Sequence, residues 1–110
     1  MDRTVRWSLR ALSDLDTAAE FIAADSLGYA AAFVIEVREA SQSLATLAER
    51  GRVVPEFGSP NIRELFVHSY RLIYRIEETR VVIAALIHGR RDLVGLWLRE
   101  RRPAPEDIIG

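Results

Sequence analysis

The side chains best suited to chemistry or charged recognition crowd into one part of this chain. Arg71 stands in "YRLIYRI", and His88, Arg90 and Arg91 stand in "HGRRDL", directly behind the apolar run "VVIAALI". Guanidinium groups are permanently charged planar forks that match phosphates and carboxylates. A histidine can move a proton near neutral pH. Such a set could stabilise a crowded phosphate, or it could hold an anionic partner with no reaction at all. Arg63, Arg75 and Arg80 read as ordinary polar positions on a half-solvated sheet, their stems covering apolar surface. Arg71 is expected mid-strand on an open face. Arg90 and Arg91 follow Gly89, which is expected to free the backbone for a sharp turn. His88 reads first as a turn-locking hydrogen-bonding residue, His68 as a hairpin-turn residue, and Glu56 and Glu64 as solvated or paired with arginine.

The rest of the composition removes many alternatives. The chain has 110 residues and no cysteine, so disulfides, thiolate metal sites and cysteine nucleophiles are excluded. The two histidines lack the i, i+4 spacing of a helical zinc site, and no metal or cofactor is expected. There is no phosphate-binding glycine loop, no nucleophile elbow and no paired-carboxylate signature. No apolar stretch approaches the ~20 residues of a membrane helix, and the N-terminus does not read as a secretion signal, so a cytoplasmic location is expected. The net charge of −1 hides an asymmetry. Residues 11–49 carry seven acidic residues against Arg38, whereas residues 50–102 carry eleven arginines against six acidic residues. A basic surface can therefore exist on a protein that is not basic.

The elements that must position these groups follow from periodicity. "TVRWS" reads as a strand, after which Ser8 can cap a helix. Ala11/Leu12, Leu15, Ala18/Ala19 and Ile22 recur at helical spacing, as do Ala30, Phe33, Val37, Ala40, Leu44 and Leu47 after a second cap at Ser26. The short connector "ADSLG" makes the pair an antiparallel hairpin. "RGRVVPEFGSPN" reads as a loop. Strands over 62–68, 70–77 and 80–88 are joined too tightly for anything but antiparallel pairing. In the middle strand Tyr70, Leu72, Tyr74 and Ile76 share a face expected to meet the helices, with the two tyrosine hydroxyls reaching solvent. "RDLVGLWLRE" reads as a short helix with Leu93, Leu96 and Trp97 inward, weakened by Gly95 at a cost of ~1 kcal/mol. Residues 101–110 are expected to form a flexible tail. The class is α+β in one domain over 1–110: an N-terminal strand, a two-helix hairpin on an antiparallel β-meander, and a short C-terminal helix.

Taken together, "VRWSLRALSDLDTAAEFIA", "GRVVPEFGSPNIRELFVHSYRLIYRI" and "VVIAALIHGRRDL" resemble the RelE/ParE family of toxins from bacterial type II toxin–antitoxin pairs, from about Val5 to Leu93. The resemblance implies a growth-inhibiting toxin held silent in a hetero-oligomer by a small antitoxin, ParD-like or of similar DNA-binding type. RelE-like members cut mRNA on the ribosome without a metal, a role in which Arg71, Arg91 and His88 would be the catalytic candidates. ParE-like members poison DNA gyrase by binding, with Arg71, His88, Arg90 and Arg91 as the target-binding candidates. The run "ALIHGRRDL" is closer to the ParE pattern. Ile62 and Glu64 stand where the nucleases place lysines, and Trp97, which cannot exchange a proton in this role, stands where they place a tyrosine. Phe33 and Val37 are expected to contact the antitoxin. A degenerate, non-toxic module that only binds its antitoxin is the third possibility.

Overall fold

Thr4–Trp7 forms strand β1, and helices α1 (Leu9–Ala23) and α2 (Leu27–Ser43) follow in a computed structural model that describes residues 2–110. The caps are the predicted ones: the Ser8 and Ser26 hydroxyls accept from the backbone N–H groups of Ala11 and Tyr29 at 3.1 Å each. Helix α2 stops at Ser43, so Leu44 is buried beyond its end and Leu47 faces solvent. A short strand β2 (Arg52–Val53) lies inside the segment read as loop, followed by β3 (Ile62–Val67), β4 (Tyr70–Ile76), β5 (Arg80–His88) and helix α3 (Leu93–Arg99).

The five strands form one mixed sheet in the order β1-β5-β4-β3-β2. The meander is antiparallel as expected, while β1 adds parallel to β5, with Thr4 opposite Arg80 and Trp7 opposite Ile83. The α1–α2 hairpin covers one face, burying Leu15, Phe33 and Val37 against Leu72, Tyr74 and Ile83. Burial of each such aliphatic or aromatic side chain contributes roughly 1.5–3 kcal/mol.

The other face is not open, which corrects the expectation for β4. Helix α3 lays Leu93, Leu96 and Trp97 on it, and Val54, Ile62, Ile73, Val82, Ile87 and Ile108 complete a second core. Arg71 and Arg75, expected in solvent, are only 5% and 8% exposed. The segment 101–110, expected as a flexible tail, packs here on this same face. Ile108 is buried, Arg75 donates to the Pro105 carbonyl at 2.6 Å, and the Trp97 indole N–H donates to the Pro103 carbonyl at 2.9 Å. Tyr74 is fully buried rather than reaching solvent: its hydroxyl donates to the Ala48 carbonyl at 2.7 Å and accepts from the Gly51 N–H at 3.0 Å.

Candidate functional site

The turn that carries Arg90 and Arg91 is built from its backbone outward. The β4–β5 register sets His88 opposite Tyr70, and their rings meet edge-on with centroids 5.1 Å apart. The Gly89 N–H donates to the Ser69 carbonyl at 2.7 Å. Gly89 does not adopt a left-handed φ, so the expected conformational reason for it is replaced by a steric one. A Cβ there would lie 3.0 Å from the Ser69 oxygen and 3.3 Å from the Phe66 ring. His88 then closes the turn twice: its Nδ1 accepts from the Arg90 N–H at 3.1 Å and its carbonyl accepts from the Arg91 N–H at 3.0 Å. An accepting Nδ1 carries no proton, which places the ring proton of the neutral form on Nε2.

Asp92 caps α3 by accepting from the Gly95 N–H at 3.1 Å. Gly95, read as a weakness of this helix, makes that cap possible, because a Cβ at 95 would collide with the Asp92 carboxylate. The chain is thus tied down from Ser69 to Gly95 while the Arg90 and Arg91 side chains stay exposed. Among the described residues neither guanidinium takes part in an ion pair.

Beside this turn runs a cleft of about 570 Å³, walled by Ser13, Thr17 and Ala18 of α1 and by the end of β5, with Arg90 and Arg91 at its rim. Arg102 closes the far side, its guanidinium bonded to both Asp14 oxygens at 2.8 and 2.6 Å. Asp14 also accepts from the Leu86 N–H of β5 at 3.0 Å. A second, more apolar groove of about 530 Å³ joins the first through Phe21, Tyr70 and His88.

Arg71 is placed elsewhere and differently. Its Nε donates to Glu64 at 2.5 Å, and its two terminal nitrogens grip Glu56 at 2.8 and 2.7 Å. Glu64 is 1% exposed and also accepts from Arg52 at 2.6 Å. The Arg71 fork holds the Glu56 carboxyl below its ordinary range, and Glu56 in turn raises the Arg71 guanidinium. Three charge-assisted bonds tie the fork to two carboxylates. Arg71 is therefore a neutralised, buried cross-link and is not grouped with Arg90 and Arg91.

Phe33 and Val37, expected to contact a partner, both sit in the first core at 3% and 0% exposure; Phe33 also lines the second groove, whereas Val37 does not. The apolar side chains left in water on the hairpin are others, including Phe21, Tyr29 and Ile35. Two supporting residues escaped the sequence reading: Asp14 and Arg102 meet across 88 positions with no spacing signal. Glu56 and Glu64, read as solvated or paired with arginine, are paired, with Arg71 as the shared partner. His68 contacts Glu36 of α2, away from the arginine turn.

The ordered turn, the free arginine pair and the β-α-α-β-β-β-β-α order are now joined by a sequence match. The family profile described as ParE toxin of type II toxin–antitoxin system, parDE, matches residues 5–93. The chain belongs to the ParE toxin family. This ParE-family toxin is also similar in fold to a chain of the chromosomal ParDE system from P. aeruginosa, with 19% identity and a TM-score of 0.65 over 78% of this chain and 95% of that one. A chain of the RelBE2 toxin–antitoxin complex from Mycobacterium tuberculosis is similar at 26% identity and a TM-score of 0.56, over 80% and 99%. No curated protein matches in sequence. The family match ends at Leu93, where α3 begins, so the tail that walls the cleft and seals the second face lies beyond it. Among the described residues no helix is long and apolar enough to cross a membrane.

Proposed function

We propose that this toxin arrests growth by binding DNA gyrase through Arg90 and Arg91, without a chemical step of its own, and that a ParD-like antitoxin holds it silent in the cytoplasm. The observation that carries the reading is the contrast between its arginines. Arg71, the residue a phosphodiester-cleaving site would need, is buried and fully paired by Glu56 and Glu64. Arg90 and Arg91 are exposed, without an ion-pair partner among the described residues, and held on a hydrogen-bonded turn. Cleavage of RNA requires charge stabilisation together with proton transfer, the latter worth typically ~10²–10⁴-fold in rate. Here Nδ1 of His88 is taken by the Arg90 N–H, and Trp97 offers no exchangeable proton at working pH. A binding toxin needs only complementary charge and shape. The relatives of known structure come from toxin–antitoxin assemblies, which supports an antitoxin partner.

The test uses purified toxin on gyrase and induced expression in cells. Inhibition of supercoiling with accumulation of cleaved DNA by the purified protein, and whole bulk mRNA in the arrested cells, are the expected results. Codon-positioned mRNA cleavage on ribosomes, abolished by Arg71→Ala in a folded protein, would move the chain to the RelE-like ribonuclease reading. Unimpaired growth at high soluble expression without the antitoxin would leave a non-toxic antitoxin-binding module.

A further inference from the structure

Strand β5 is longer than the strand beside it. β1 pairs only with Arg80–Ile83, so from Ala84 to His88 the outer side of β5 has no neighbouring strand among the described residues. Antiparallel ladders alternate between residues whose N–H and C=O both point to the partner and residues whose groups both point away. The Gly89 N–H reaches across to Ser69, and Gly89, like Ile87, is an inward position. Leu86 and His88 are the outward ones, as the Leu86 N–H shows by meeting Asp14 instead of β4.

Of the four outward groups two are taken: the Leu86 N–H by Asp14 and the His88 carbonyl by the Arg91 N–H. The two left over are the Leu86 carbonyl and the His88 N–H, both on the cleft. An antiparallel neighbour would need both groups of one residue. A parallel neighbour needs a C=O and the N–H two positions on, which is the pair that remains. The cleft is roomy at this place because α1 presents Ser13, Thr17 and Ala18.

We infer that this cleft is a docking site for an extended acidic segment of the antitoxin, added as a parallel strand in line with β1 through the Leu86 carbonyl and the His88 N–H. Direction follows from the pairing. A parallel segment runs with β5, so the residues after the paired one approach Arg90 and Arg91, and carboxylates there complement the two unpaired guanidiniums. Residues flanking the paired one project toward Phe21 and Tyr70, where the second groove begins and apolar side chains fit. Strand addition gives affinity through main-chain bonds, and the alternate side chains give specificity. The same segment covers the arginines proposed to engage gyrase, so binding and silencing are one event. This inference rests on the antitoxin reading of the proposed function.

The experiment compares amide hydrogen exchange in the toxin alone and in its complex with the protein encoded by the adjacent gene. The His88 N–H is expected to slow at least ~10-fold in the complex, while the Leu86 N–H, already held by Asp14, changes little. Arg90→Ala with Arg91→Ala should weaken the complex by roughly tenfold at low ionic strength, and less as salt rises. Failure to form any complex overturns the antitoxin reading and this inference together. A stable complex that leaves the His88 N–H exchanging at its free rate overturns this inference alone. Protection of His88 without any effect of the arginine pair overturns its acidic, arginine-directed part.

Discussion

Replacing Arg71 separates a structural role from a chemical one. Arg71→Ala removes three charge-assisted bonds and leaves Glu64, 1% exposed, inside the sheet. Removing one partner of a buried ion pair costs about 3–5 kcal/mol, because the charge left behind loses its counter-ion. Arg52 stays bonded to Glu64 at 2.6 Å and Glu56 can return to water, so the lower end, about 3 kcal/mol, applies here. At about 4 °C per kcal/mol for a domain of this size, the melting midpoint should fall by roughly 12 °C. Thermal melts by circular dichroism read this directly. The deciding variant is Arg71→Met with Glu64→Leu, which replaces the buried pair by apolar groups of similar bulk. Such replacements are often neutral or stabilising, so this variant should melt within ~5 °C of the parent and keep full toxicity. A variant that is stable yet harmless in cells would refute the reasoning, because it would show that the Arg71 charge itself acts on the target. A loss below ~1 kcal/mol for Arg71→Ala would refute the structural half.

Arg90→Ala with Arg91→Ala should abolish gyrase inhibition and shift unfolding free energy by no more than ~0.5 kcal/mol, as surface changes do; retained inhibition removes the pair from the target contact. His88→Asn, whose Oδ1 can accept the Arg90 N–H in place of Nδ1, should stay toxic, and loss of toxicity with an unchanged melt would restore a proton-transfer role. Gly95→Ala should give no net stabilisation in urea unfolding: the ~1 kcal/mol gained in helix propensity is offset by the ~1 kcal/mol lost when Asp92 can no longer cap. Glu56 and Glu77 are held below the ordinary value of 4.5 by bonds to Arg71 and to Arg80 and Arg75 respectively. As pH falls the unfolded chain therefore binds protons first. Stability should be level from pH 7 to about 5 and decline below 4.5, and a midpoint already falling at pH 6 would contradict this.

Much of this arrangement was readable from residues because it is local. Helical spacing located both hairpin helices, serines marked their caps, and tight connectors imposed the meander. The second buried face has its signal in the sequence too: "VVIAALI" is apolar at successive positions, the pattern of a strand covered on both sides, and Leu93, Leu96 and Trp97 need a surface to cover. What could not be read is what depends on distance along the chain. A two-residue strand such as β2 has no periodicity. The parallel pairing of β1 with β5 depends on the finished sheet. Asp14 and Arg102 are an ordinary helix acid and an ordinary tail base until the fold brings them together. For the same reason Arg71 passed for a solvent-facing cation: its identity is visible, but the two carboxylates that silence it come from a loop and a neighbouring strand.

The pairing of the first strand with the last has a consequence in time. Trp7 lies opposite Ile83, and Arg102 latches onto Asp14, so neither contact can form until nearly the whole chain exists. At roughly 5–20 residues per second of synthesis, the N-terminal strand waits about 4–15 s for its partner. The helical hairpin and the β3–β4 pair, whose contacts are short-range, can assemble in the interval. The arginine turn, emerging after β5, is among the last parts to take shape. A ribosome that stops before Arg80 releases a chain whose first strand has nothing to join and which lacks the arginine turn.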